Sequence, residues 1–143
     1  MNKFIFSYKH SLGPYYNLIA TINDDGIVDY EYSYCSDYIY EKDKTIFVKE
    51  SLNKELSKQF IEYIDSARIE DMDKEYYRQE QVFDDAPECN IAILKDSNSA
   101  FVYVEADSYP DTFKYIIKAL SLINKDFTYW YRLERIVKLS KRK

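Results

Sequence analysis

The sequence predicts an α+β fold: an antiparallel sheet of about six strands with helices packed on one face. Three observations carry that expectation. Short apolar segments alternate at period two, turn-forming residues join neighbouring segments into hairpins, and two longer segments repeat their apolar residues at spacings of three and four. The order is four strands, a helix, a two-strand hairpin, a second helix and a C-terminal tail. It lacks the strand–helix alternation of a doubly wound parallel sheet.

Residues 2–9 and 16–23 read as the first two strands, separated by the Gly13-Pro14 break; Leu18, Ala20 and Ile22 hold period two in the second. Asp24-Asp25-Gly26 turns the chain into a third strand, because glycine reaches positive φ without a Cβ clash. That strand, about 27–34, places Val28, Tyr30, Tyr32 and Tyr34 on one face. A fourth strand at 45–49 follows the charged run Glu41-Lys42-Asp43-Lys44.

The first helix is marked by Leu52, Leu56, Phe60, Tyr63, Ile64 and Ala67 along one stripe, with Ser51 or Asn53 as its N-cap. Residues 70–88 are acidic and aperiodic, and end in Asp84-Asp85-Ala86-Pro87. A second hairpin follows, 90–95 and 100–105, around Asp96-Ser97-Asn98-Ser99. Pro110 suits the first turn of the second helix, where a missing N–H costs nothing. Phe113, Ile116, Ile117, Leu120 and Ile123 form that helix's apolar face. The reading is one domain over 1–126, with 127–143 an aromatic and then basic extension, helical and partly packed on it.

Among the 143 residues, 46% are hydrophobic and 31% charged, a balance that supports a packed core and argues against a disordered chain. Sixteen Tyr and eight Phe against two Gly and three Pro point to a sheet rich in half-buried aromatic rings. The apolar run near the N-terminus is too short for a signal-peptide core. No stretch approaches the roughly 18 apolar residues of a membrane span, so a cytoplasmic protein with no membrane partner is expected. Cys35 and Cys89 form no C-x-x-C pair and are expected to be buried, reduced thiols, with a disulfide between them as the alternative.

Gly13-Pro14-x-Tyr16 before a strand, Asp25-Gly26-x-Val28-x-Tyr30, a helix opening with Leu52, and Asp85-Ala86-Pro87 before a hairpin occur in that order. The chain resembles a group of small bacterial α+β domains that share these G-P-x-Y, D-G-x-V-x-Y and D-x-P landmarks. The resemblance covers roughly residues 4–124. It implies a shared β-rich fold and transfers no reaction, ligand or site residue. Some members of that group look exported, whereas this chain is expected to lack a leader.

Motif chemistry is sparse. Phosphate-cradling loops need several glycines at close approach, and Gly13 and Gly26 are both turn residues, which excludes dinucleotide and P-loop sites. His10, the sole histidine, stands beside a Gly-Pro break rather than in a nucleophile turn, and three scattered Cys and His residues do not make a zinc site. Asp71-x-Asp73-x-Glu75 opens like a calcium loop. Its sixth position is Tyr76 where glycine is needed, and its twelfth is Val82 where a bidentate glutamate belongs. No cofactor, metal or catalytic residue is therefore assigned. A carboxylate-dependent hydrolase remains one alternative, since 25 acidic residues allow many pairs that only the fold brings together.

Charge is more informative. Residues 132–143 hold six basic side chains against Glu134, which leaves the first 131 residues at −10 within a total of −5. An acidic body disfavours direct nucleic-acid binding and suits a basic protein partner. The expected contact residues are Asp71, Asp73, Glu75, Tyr76, Tyr77, Phe83, Asp84, Asp85 and Glu88, acids interleaved with aromatic rings. A non-enzymatic inhibitor of the immunity or anti-defence type fits this pattern. A self-associating structural or regulatory domain is the other alternative, with a homo-oligomer as its consequence.

Overall fold

The computed structural model describes residues 2–9, 15–35, 45–76, 88–94, 99–105 and 109–123. Strands β1 (Asn2–Lys9), β2 (Tyr15–Ile22), β3 (Val28–Cys35) and β4 (Ile46–Ser51) come first. Helix α1 (Lys54–Ala67) and a 3-10 turn (Ile69–Asp71) follow, then strands β5 (Glu75–Tyr76), β6 (Glu88–Leu94) and β7 (Ser99–Glu105), and helix α2 (Phe113–Ile123). The architecture is mixed α+β, with β1 to β4 antiparallel. Spatially the strands run β4-β3-β2-β1-β6-β7-β5, and among the described residues only β5 pairs in parallel, with β7. It lies in the acidic stretch where the sequence shows no periodicity; two residues are too few to display any.

Register decides what is buried. Phe6 pairs with Leu18 and Leu18 with Tyr32, so alternate residues of adjacent strands stand on one face. Phe4, Phe6 and Tyr8 of β1 and Tyr16, Leu18 and Ala20 of β2 are buried there. Val28 and Tyr30 of β3 join them, as do Val102 and Val104 of β7, in one cluster with residues from both helices. The edge of the Phe60 ring meets the Phe4 ring at 5.9 Å and 78°, and Phe113 packs similarly on Tyr109 at 4.7 Å and 76°.

The β2–β3 connection is built around Asn23. The Gly26 N–H bonds the Asn23 carbonyl at 3.0 Å, the Asn23 N–H bonds the Ile27 carbonyl at 3.0 Å, and the Asn23 side chain accepts from Asp25 and Ile27. Gly26 sits at φ 78°, the left-handed position the sequence anticipates for a tight connection.

Of the two cap candidates, Asn53 is the one used: its side chain accepts the Leu56 N–H at 2.8 Å. Arg68, at φ 51°, ψ 51°, closes the helix in the left-handed conformation. Ser57, one turn in, is fully buried. Its hydroxyl accepts the Val28 N–H at 3.0 Å and donates to the Leu52 carbonyl at 3.3 Å, which ties α1 to the start of β3. Pro110 sits one turn earlier than expected: its carbonyl accepts the Phe113 N–H, and two more i→i+3 bonds follow before α2 is established.

Cys35 is buried with a free thiol. Residues 127–143, Gly13-Pro14 and His10 lie outside the described residues.

Truncating Phe60 to alanine removes the ring that closes on Phe4, and is expected to lower unfolding free energy by about 3–5 kcal/mol in urea titration. Ser57→Ala leaves the buried Val28 N–H without its acceptor, at a cost of about 1–3 kcal/mol by the same measurement.

Candidate partner-binding surface

The opposite face of the sheet carries the alternate residues. Register places Phe101, Ala92, Ile5, Ile19, Glu31 and Lys49 in one row across six strands. At the usual spacing between strands, that row spans about 24 Å. A neighbouring row ends on Phe47, which pairs with Ser33. Phe47 is 77% exposed, Phe101 62% and Ile19 44%, so this face presents large apolar groups to solvent. Exposed apolar groups on one face mark an interaction surface more strongly than isolated ones do.

Polar groups interleave with them. Lys49 Nζ lies 3.3 Å from Glu31 Oε1, an exposed pair worth less than about 1 kcal/mol but enough to orient both side chains. Asp29 accepts from the Ser51 hydroxyl at 2.6 Å and from the Asn23 amide at 3.2 Å. Lys3, Thr21, Asp29, Glu31, Lys49 and Ser51 line a depression beside Ile19. These groups suit hydrogen bonding and charge pairing with a ligand surface.

The residues expected from sequence to contact a partner are only partly described. Asp71 ends the 3-10 turn, exposed, with Arg68 Nε 3.4 Å from its carboxylate, and Asp73 is exposed just before β5. Glu75 and Tyr76 form β5, pairing with Tyr103 and Val104, and Glu88 opens β6 opposite Glu105. The backbone thus brings Glu75, Tyr76 and Glu88 to the same end of β7, with Asp71 and Asp73 leading into it. Tyr77, Phe83, Asp84 and Asp85 lie outside the described residues.

Sequence reasoning missed Phe47, Phe101 and Ile19. The available signal was the unbroken apolar triplets Ile46-Phe47-Val48 and Ala100-Phe101-Val102, in which one residue must face away from the core.

On the buried side, the β2 and β3 tyrosines make a stacked array. Tyr16 and Tyr32 stack at 5.4 Å, Tyr30 and Tyr32 at 5.9 Å, and Tyr32 and Tyr34 at 6.0 Å. Burial, followed by the neighbouring phenols Tyr32, Tyr30 and Tyr34, pushes the Tyr16 hydroxyl far above its ordinary pKa. Tyr30 donates to Glu50 Oε2 at 3.1 Å; burial first, and then that bond and the carboxylate's charge, push it up to about 12. Both phenols are neutral at physiological pH: Tyr30 acts through its hydrogen bond to Glu50, and Tyr16 through the packing of its ring.

Among the described residues, no three His, Cys, Asp or Glu side chains gather as a metal site, and no helix is long and apolar enough to cross a membrane. No family model matches the chain, and no curated protein matches it significantly.

Because folding holds the Tyr30 proton more tightly than the unfolded chain does, its contribution to stability is complete below the ordinary value of 10.0. It is lost as pH rises toward about 12. Replacing Glu50 with glutamine removes the carboxylate's charge, so Tyr30 is expected to titrate at lower pH in ultraviolet difference spectra; an unmoved titration would show that Glu50 has no hold on it.

Proposed function

We propose that the chain is a non-enzymatic protein-binding module, acting in the cytoplasm as an inhibitor of the immunity or anti-defence type. In this reading the helices cover one sheet face and leave the other to a basic partner. The observation that supports it most directly is the open face itself: exposed Phe101 and Ile19 stand in one register row with Ile5, beside the exposed carboxylates Asp29 and Glu31. Aromatic anchors supply desolvated contact area, and surrounding acids steer a cationic surface into place. Asp71 and Asp73, exposed on the chain just ahead of β5, add carboxylates near the β7 edge of the sheet.

Inhibition follows from occupancy. A partner that handles phosphate-bearing ligands offers basic side chains, and carboxylates set among rigid rings occupy the same groups without undergoing reaction. The −10 charge of residues 1–131 raises the encounter rate with such a partner and makes it sensitive to salt.

Affinity purification from the native host is expected to recover a basic protein whose binding weakens as salt rises. Phe101→Ala is expected to cost about 2 kcal/mol, roughly thirty-fold in Kd by calorimetry. Joint replacement of Asp71 and Asp73 by asparagine is expected to slow association mainly. Salt-insensitive binding, or affinity unchanged in all these variants, would defeat the proposal.

A further inference from the structure

We infer that β4 is a self-pairing edge, through which two copies of the chain join antiparallel about Val48 into one continuous sheet. The inference is independent of the basic-partner reading. It starts from the direction of backbone groups. The Leu52 N–H donates to the Val28 carbonyl at 2.9 Å, which makes that pair a hydrogen-bonded one in the antiparallel β3–β4 ladder. Hydrogen-bonded pairs alternate, so Ile46, Val48 and Glu50 turn their N–H and C=O groups toward β3. Phe47, Lys49 and Ser51 turn theirs outward, and among the described residues no strand meets them there.

This edge lacks the usual protections. It contains no proline, and its one lysine is paired with Glu31 on its own sheet. Ile46 is 45% exposed and Phe47 77%, so apolar area accompanies the open backbone groups.

Symmetry and charge select the occupant and the register. A two-fold axis normal to the sheet sets one residue opposite its own copy. Centring on Lys49 opposes two lysines, and centring on Phe47 leaves Lys49, Glu50 and Ser51 beyond the partner strand. Centring on Val48 faces Phe47 with Lys49 and Ile46 with Glu50 of the second copy. It matches the outward backbone groups of Phe47 to those of Lys49, sets Ser51 opposite Thr45 just ahead of the strand, and opposes no like charges. Each Lys49 also comes beside a Phe47 ring, a favourable cation–aromatic contact. A strand that complements its own reverse in this way fits a second copy of the chain.

Sedimentation velocity of the full chain at rising micromolar concentration tests the idea. Wild type is expected to approach twice the monomer mass of 17.2 kDa, more readily at high salt, because two copies of charge −5 repel. A basic-partner complex shows the opposite salt trend, so the two proposals fail separately. Phe47→Lys opposes lysine to Lys49 of the second copy, and is expected to weaken the dimer at least ten-fold. Adding Lys49→Glu to that variant restores it. Should these variants fold poorly, Val48→Cys gives a separate readout, since directly opposed non-hydrogen-bonded positions sit close enough for a disulfide. Mild oxidation then yields a cross-linked dimer, whereas Glu50→Cys does not. A wild type that remains at monomer mass throughout, or a dimer indifferent to Phe47→Lys, overturns the inference.

Discussion

The two-residue period of the paired strands is the constraint on which the rest of the molecule depends. Once β1 pairs with β2 and β6, and β2 with β3, the register commits Phe6, Leu18 and Tyr32 to one side and Ile5, Ile19 and Glu31 to the other. A slip of one residue in β1 or β2 would put Phe6 or Leu18 into water, and the same slip in β3 would carry Asp29 and Glu31 toward the core. The bridge from Val28 through the Ser57 hydroxyl to Leu52 fixes where the first helix starts relative to that pattern. Sheet and helix are thus referenced to one another by a buried polar contact, and the apolar residues then complete the packing.

Much of this was legible in the residues, because local chemistry dictated it. Alternation at Leu18, Ala20 and Ile22, the Gly26 turn, the Asn53 cap and the stripes in both helices each express a preference the chain satisfies within a few residues. What was not legible is non-local. Nothing near Phe4 announces that Ile93 lies beside it, although that pairing puts the hairpin of β6 and β7 next to the N-terminal strand. The two-residue β5 was hidden for a similar reason: its pairing is with Tyr103 and Val104, and its own length carries no period.

The candidate surface divides the same way. Asp71 and Asp73 stood out as charges and are exposed. Phe47 and Phe101 did not stand out, because in an apolar triplet the sequence records hydrophobicity without saying which ring looks outward. Only register resolves that. The result is an asymmetric molecule, with tyrosine-rich packing beneath the sheet and a mixed aromatic and carboxylate surface above it. The two surfaces differ in kind: one derives stability from exclusion of water, while the other keeps hydrated charges beside apolar groups that gain from losing their water.

The phenol array has a further, optical consequence. Tyr30, Tyr32 and Tyr34 hold their rings nearly parallel at 5.9 and 6.0 Å, with Tyr16 stacked on the middle ring at 5.4 Å. Aromatic chromophores fixed at such separations in a chiral frame couple their electronic transitions, so the folded chain carries an intrinsic near-ultraviolet dichroism centred on β3. That signal reads the alignment of the strand without any label, and it vanishes when the rings lose their mutual orientation even if the backbone remains extended.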